Sequence, residues 1–550
     1  MKLKLLQKVE DRPTPKSVYN WRVYLLAVVS SFTSCMIGYD SAFIGTSLAL
    51  KSFRNEFHFD EMSVAKQNLI EANIVSTYIA GAFFGALFGY PIGHFFGRKK
   101  ALIFNALVFI VGAGLTLGAN GSRGLGIMYA GRVFCGLGVG GGSNITPIYI
   151  SELAPPSIRG RLVGVFELGW QVGGLVGFWI NYGVSTTMPA SHKQWVIPFG
   201  VQLIPAGILL VGALFIKESP RWLFSHGDRE AAIRNLSWIR QLPADHVYMA
   251  EEITAIDYAL EQQSATIGIG FWKPFKAAAS NKRVMYRLFI GSMMFLWQNG
   301  SGINAINYYS PTVFKSIGIT GQNTTLFTTG IFGVVKTVVS LVYLLILIDH
   351  MGRRFLLLFG AWSGSICLWI IGAYIKASNT GSSENQDSSG SGGDIGSGGI
   401  AAMFFFYMWT VCYSGTWNGT PWVINSEIFD PNMRSLAQAC AAASNWLWNF
   451  LITRFTPQMF AQMEYGVYFF FASLMILSSI FVWFLIPETK GIPLESMDDL
   501  FKTKPVWRAH DAMLVTLREE EQRFRQDMEE SGVAEEKAAI VGEQVEESKA

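Results

Sequence analysis

The sequence predicts an all-α membrane protein of twelve transmembrane helices in two six-helix halves, and three observations carry that prediction. Half of the 550 residues are hydrophobic and only 15% are charged, against roughly 25% charged in an average soluble domain. Uncharged runs of membrane-crossing length recur along the chain. The same charged motifs then appear twice, once in each half.

Windows of about 19 residues place the spans near 22-44, 72-96, 101-119, 126-148, 162-183, 195-216, 286-312, 325-347, 355-376, 401-425, 437-461 and 466-486. A soluble protein has no need of so many long uncharged runs. Arg98, Lys99 and Lys100, then Arg159 and Arg161, then Arg353 and Arg354, then Arg434 fall in alternate short loops. The positive-inside rule assigns such loops to the cytoplasm, so both termini are expected there. The opening MKLKLLQKVEDRPTPK has no cleavable apolar core, which leaves the first span as the targeting signal. The expected divisions are a cytoplasmic N-terminal segment (1-21), a first six-helix half (22-216), a cytoplasmic helical insert (217-285), a second half (286-490) and a cytoplasmic tail (491-550).

Several function classes are excluded. A net charge of +3 with basic residues placed by topology gives no nucleic-acid-binding face. The five cysteines lie in apolar spans without metal or disulfide spacing, and the seven histidines show no ligand pattern, so no metal or cofactor is expected. GLGVGGG (136-142) contains GxGxxG but lies inside a span with no strand before it, which predicts close helix packing instead of a dinucleotide site. GxxxxGK[ST] does not occur, so an ATP-driven pump is not expected and energy must come from a gradient. The expected partners are membrane lipids, protons and a small hydroxylated molecule, handled by a monomer.

In the insert, DREAAIRNLSWIRQLP has amphipathic helical spacing, with Asp228 as its cap and Pro243 as its stop. On the two sides of the insert, SELAPPSIRGRL (151-162) matches SEIFDPNMRSLA (426-437), with Glu152 to Arg159 and Glu427 to Arg434 both seven residues apart. GHFFGRKK (93-100) answers DHMGRRFL (349-356), and ESPRWL (218-223) loosely answers ETKGIPL (488-494). Duplication of this kind points to a transporter with its site between the halves. Arg98, Glu152, Arg159, Glu218, Arg221, Arg353, Glu427 and Arg434 are then candidate gating residues that pair across helix ends; simple anchoring is the alternative. The Gly/Ser-rich run 380-399 and the acidic tail from about Glu519 are expected to be solvated, the tail partly disordered.

An ionised Asp within a span costs roughly 2.5 to 3.5 kcal/mol on insertion scales, so Asp40 requires a partner or an aqueous cavity. Arg132 is that partner by depth: at about 1.5 Å per residue both lie some 6 to 9 Å below the outer boundary. A carboxylate whose arginine can move away takes and releases a proton with conformation; a permanent ion pair is the alternative. In the second half, Gln298, Asn299 and Asn304, with Asn307 to Tyr309, Trp422, Asn445 and Asn449, set amides beside aromatic faces. That combination suits a molecule carrying several hydroxyls, with some of the amides serving only to join helices.

GYD, GRKK, RVFCGLGVG, ELAPPSIRGRL, ESPRWL, QNGSGIN, DHMGRR, SEIF with Arg434, and PETKG resemble, in this order, the sugar porter family of the major facilitator superfamily, across about residues 20 to 495. EDRPTPKSVYNWRVY, ELGWQVGGLVGFWINYG, WQNGSGINAINYYSPTVF and GTWNGTPWVINSEIF are similar to the fungal quinate permeases within it. The resemblance implies the major facilitator fold, alternating access, proton coupling on Asp40 with Arg132, and polyol contacts on Gln298, Asn299, Asn304, Trp422 and Asn445. It departs from the family at His94 in place of Asp or Asn, at Ser435 in place of Gly, and at Glu167 in place of the substrate-contacting Gln of the fifth span.

The function expected is therefore proton-coupled uptake of quinate or a similar ring acid across the plasma membrane, not enzymatic chemistry. An acid substrate needs a cation, and Lys336, at the same depth as Gln298, is the candidate, with Glu167 holding it in the empty state or bonding a ring hydroxyl. A neutral hexose or inositol is the alternative substrate. A non-transporting nutrient receptor is the alternative class, for which a longer signalling tail is expected.

Overall fold

A computed structural model describes residues 14–266, 268, 270–319, 321–378, 397–429, 433–490, 492, 497–503 and 505–530. Twelve membrane spans follow one another among them. Spans 1 to 5 are the helices Trp21–Leu48, Val64–Phe95, Arg98–Leu117, Gly126–Leu153 and Arg159–Thr187. Span 6 is His192–Val201 with Leu203–Phe215, and span 7 is Lys282–Gly300 with Ile303–Ser316. Span 8 runs from Gln322–Val342 through a π turn at Tyr343–Leu347. Spans 9 to 12 are Arg353–Ser378, Ser397–Ser414 with Thr420–Ile428, Arg434–Met463 and Gly466–Leu485.

Eight of these are long and apolar enough to cross a membrane by composition alone. The other four fall short of that measure: spans 7 and 10 are broken into shorter helices, and spans 4 and 11 carry buried polar side chains such as Arg132, Asn144, Asn445 and Asn449. Large side chains such as Phe84, Phe88, Val111, Leu214, Phe359 and Phe484 are exposed and form the lipid-facing surface. Span 1 packs on span 5, span 4 lies between spans 2 and 3, and span 9 lies against spans 10 and 12. The halves meet where span 2 crosses span 11, where span 5 crosses span 8, and where span 1 touches span 7.

Without a hydrophobic drive between helices in lipid, small residues let backbones approach and gain packing. The glycine run of span 4 is used in this way. A Cβ on Gly136 would stand 2.0 Å from the Tyr78 carbonyl oxygen, one on Gly140 2.0 Å from that of Ala82, and one on Gly138 2.5 Å from that of Asn105. Opposite faces of the stripe therefore seat spans 2 and 3, as the packing reading of GLGVGGG predicts.

The insert forms Pro220–Ser225, Arg229–Arg240, Val247–Thr266 and Lys273–Ser280. The Asp228 carboxylate accepts the Ala231 amide at 3.1 Å, and the helix ends at Gln241 in the left-handed region, before Pro243, so cap and stop fall where the spacing predicts. Arg240 ties the insert to the end of span 4 through the Leu153 carbonyl at 2.8 Å, and Asn20 ties it to the start of span 1 through that of Ile239 at 2.7 Å. The insert, the start of span 1 and the basic loops thus share one face, called the basic face below.

One expectation about loops changes. The tail forms the helix Ala509–Glu530, which continues into the stretch expected to be partly disordered; residues 531–550 lie outside the described residues. The run 380-399 lies outside them up to residue 396.

Gly140→Val forces spans 2 and 4 apart and is expected to cost about 1–3 kcal/mol or more of packing. Gly114→Ala, which meets nothing within 4 Å, should be neutral or stabilising by up to about 1 kcal/mol. Thermal unfolding of the detergent-solubilised variants checks the contrast; equal midpoints would show that the glycine stripe does not set helix spacing.

Candidate functional site

Asp40 and Arg132 meet between spans 1 and 4, with Arg132 Nη1 donating to Asp40 Oδ1 at 2.6 Å and both side chains fully buried. The depth estimate from the sequence therefore brings the right pair together. Arg132 Nε donates to the Ile74 carbonyl at 3.2 Å, and the guanidinium lies 4.6 Å from the centre of the Tyr78 ring. That ring meets Trp446 of span 11 edge-on, with centroids 6.3 Å apart. Asp40 Oδ2 and Arg132 Nη2 are buried without a hydrogen-bond partner.

Removing one member of a buried pair leaves an uncompensated charge, at a cost of about 3–5 kcal/mol. Protonation of Asp40 avoids part of that cost, because the arginine keeps the Ile74 carbonyl and the Tyr78 face. The arrangement is therefore chemically suited to exchanging a proton.

A second polar centre lies between the halves. Gly38, Ser41, Gln171, Asn307, Lys336 and Thr337 are among the residues lining a small cavity shared by spans 1, 5, 7 and 8. Lys336 is 7% exposed, and its Nζ donates to Asn307 Oδ1 at 3.5 Å. Glu167 is one helical turn from Gln171, whose amide donates to Glu167 Oε1 at 2.7 Å. Asn418 donates to the same oxygen at 2.8 Å and to Ser340 Oγ at 3.2 Å. Glu167 lies within electrostatic reach of Lys336 without a direct ion pair: its Oε1 accepts from two amides, and the lysine donates to Asn307.

The amides of the second half form a network around two broken helices. Span 7 breaks at Gly302, with φ of +88°, and span 10 breaks between Ser414 and Thr420. Gln298 Nε2 donates to the carbonyls of Trp417 at 3.0 Å and Asn418 at 2.8 Å, satisfying acceptors that the break in span 10 frees. Asn304 donates to Asn299, and Asn299 donates to Asn445 Oδ1 at 3.1 Å. Trp422 packs on Phe295 with ring centroids 4.6 Å apart. Gln298 reaches the Lys336 region through Asn418 and not directly. Asn418 is one of the residues that sequence reasoning misses; its signal is TWNGTP, where Gly419 and Pro421 interrupt the apolar window 401-425.

On the basic face the two halves repeat one arrangement. Arg98 binds Glu152 through Nε at 3.1 Å and Nη2 at 2.8 Å, and donates to the Gly93 carbonyl at 2.7 Å. Arg353 binds Glu427 at 2.9 Å and the Ile348 carbonyl at 3.1 Å. Pairing across helix ends is seen in both halves: Glu152 of span 4 turns to span 3, and Glu427 of span 10 to span 9. Arg159 lies in the field of Arg221, Arg240 and Glu252 of the insert, and among the described residues neither Arg159 nor Arg221 forms an ion pair. The side chain of Arg434 lies outside the described residues.

Glu218 accepts the backbone amides of Arg98 at 2.9 Å, Lys99 at 3.1 Å and Ser219 at 2.9 Å. Burial pushes its carboxyl up, and those three amides oppose the shift. Glu488 accepts the amides of Arg353 and Arg354, each at 2.9 Å. Each glutamate thus caps the start of a span, where free N–H groups and the helix dipole favour an anion. Glu488 was absent from the candidates although ETKGIPL had been aligned with ESPRWL; that alignment was the available signal.

A family profile described as Sugar (and other) transporter matches residues 26–501. A probable quinate permease of Neosartorya fischeri is 72% identical over 530 residues, covering 96% of each chain. One of Aspergillus niger is equally similar over 96% of this chain and 97% of its own. Among solved structures, the proton:xylose symporter XylE bound to 6-bromo-6-deoxy-D-glucose is 25% identical, with a TM-score of 0.68 over 87% of this chain and 99% of that one. A double tryptophan mutant of XylE, also 25% identical, has a TM-score of 0.71 over the same shares.

Glu218→Ala and Glu488→Ala should each lower stability by about 1–2 kcal/mol through the lost cap, and the double variant should lose the sum to within about 0.5 kcal/mol because the sites share no partner. Thermal unfolding in detergent measures this; a neutral Glu488→Ala beside a costly Glu218→Ala would break the equivalence of the two caps.

Proposed function

The chain belongs to the sugar (and other) transporter family, a family of membrane transporters and not of enzymes, and from that premise we propose that it carries quinate or a closely similar hydroxylated ring acid inward together with protons, by alternating access. The basic face is the cytoplasmic one and the membrane is the plasma membrane. The name probable quinate permease, carried by relatives 72% identical over nearly the whole chain, supports this reading.

The observation that carries it is Lys336, a buried ammonium on the wall of a cavity made by both halves. A neutral hexose gives no reason to keep a cation at that depth, where it costs energy on its own. A carboxylate does, by forming a charge-assisted hydrogen bond with it. Hydroxyls of the same ring then meet Glu167 and Asn418 on one side and the network of Gln298, Asn299, Asn304 and Asn445 on the other, with Trp422 beside it. Asp40 takes the proton, and its neutral form loosens the hold of Arg132 on span 1. Arg98, Glu152, Glu218, Arg353, Glu427 and Glu488 brace the cytoplasmic ends; Arg159, Arg221 and Arg434 act there through the insert and the loops.

Asp40→Asn is expected to abolish uphill accumulation of radiolabelled quinate in permease-deleted cells while exchange across the membrane persists. Uphill uptake at the wild-type rate would remove Asp40 from the coupling. Absence of any quinate uptake by the wild-type chain would favour the receptor reading or another substrate.

Lys336→Gln should weaken quinate roughly 10- to 100-fold, the value of a hydrogen bond to a charged group at about 1.5–3 kcal/mol, while competition by neutral inositol is retained. Equal losses for both ligands would show that this lysine does not read the carboxylate.

A further inference from the structure

The last helix of the insert, Lys273–Ser280, is unused by the transport reading and has three distinct faces. Pro274 and Ala278 are buried and Ala277 is half-buried. Ala277 and Ala278 pack with Tyr90 of span 2 and with Met433, Leu436 and Cys440 at the start of span 11, so the helix sits where the two halves cross on the basic face. A second face leaves Trp272 73% exposed and Phe275 37% exposed, their rings 5.6 Å apart. Between the two, Lys273 and Lys276 are exposed, and Lys282 and Arg283 follow at the mouth of span 7. Among the described residues none of these four is in an ion pair.

The exposed Trp272 has an apolar surface close by in the chain. Directly after the four cations, Met285, Tyr286 and Phe289 of span 7 are 50%, 42% and 54% exposed and belong to the lipid-facing surface. The aromatic face of the helix continues that surface at its edge, where a tryptophan sits at the headgroup level and lysines reach the phosphates.

We propose that Lys273–Ser280, with Trp272 and Lys282–Arg283, is a docking surface for anionic phospholipid, seated as an interfacial helix across the junction of the two halves. It rests on the reading of the basic face as cytoplasmic, because that leaflet carries the anionic lipid. Charge complementarity and continuity with the lipid-facing surface select lipid over a protein partner. Because the buried face grips spans 2 and 11 together, bound lipid holds the junction closed.

The full-length protein in nanodiscs of phosphatidylcholine, with and without phosphatidylserine, tests this without reference to transport or orientation. Phosphatidylserine should raise the unfolding temperature of the wild type, less so at high salt. The combined Lys273→Gln, Lys276→Gln, Lys282→Gln and Arg283→Gln variant should bind phosphatidylserine about tenfold more weakly or worse and lose most of the rise, with an unchanged midpoint in phosphatidylcholine alone. Replacing the three lysines by arginine should keep the rise, which guards against misfolding of the neutral variant. A full rise in the neutral variant, no difference between lipids in the wild type, the same rise from soluble glycerophosphoserine, or a rise that needs added soluble protein would each overturn the proposal. Failure of quinate uptake with an intact lipid response would leave it standing.

Discussion

Asp40 and Arg132 are both closed off from solvent, and in a bundle surrounded by lipid such a pair is tolerable only if the two charges stay within hydrogen-bond distance. That requirement fixes how closely spans 1 and 4 must lie and, through the Ile74 carbonyl and the Tyr78 ring, where span 2 must stand. The glycines of span 4 make this spacing possible, since any side chain at Gly136 or Gly140 would occupy the position of a span 2 carbonyl. Charge placement and backbone approach are therefore one constraint, met by residues that read in the sequence as unrelated motifs.

The second half solves a different problem. Breaking spans 7 and 10 releases backbone carbonyls and exposes polar positions near the middle of the bundle, which hydrocarbon does not forgive. Gln298 satisfies the carbonyls at the break in span 10, while the asparagines of spans 7 and 11 bond to one another. The cost of irregular backbone is offset locally, by a network that reaches the neighbourhood of Lys336 through Asn418. The first half holds a buried ion pair and the second a hydrogen-bonded amide network, although the two halves repeat one arrangement at their basic ends.

How much of this the sequence revealed follows from the range of each signal. Spans were legible because burial in lipid acts on about twenty residues at once. The Asp40–Arg132 pair was legible because depth is a simple count along two helices. The broken spans were not, because a hydropathy window averages across Gly300 to Gly302 and across TWNGTP, and Asn418 was lost with the second break. That Glu152 and Glu427 pair across helix ends was legible from the repeat, but not their individual partners, because spacing within a motif says nothing about which neighbouring helix a side chain turns toward. Glu488 went unnamed because its equivalence to Glu218 lies in what both carboxylates bind, the free amides at the start of a span, and only weakly in the letters around them.

The Arg98–Glu152 and Arg353–Glu427 pairs have a mechanical consequence. Each lies wholly inside one half, reinforced by a glutamate from the following loop, so neither has to break when the halves tilt against one another. They are braces rather than latches. Each half behaves as a stiff lever whose inner end is rigid, and the resistance to motion is concentrated in the seams where span 2 bears on span 11 and span 5 on span 8. Among the described residues, hydrogen bonds across those seams are single, such as Thr337 to the Gln171 carbonyl, and the buried side chains of Glu167 and Lys336 lie at the second seam, so a sliding step there must keep both supplied with partners.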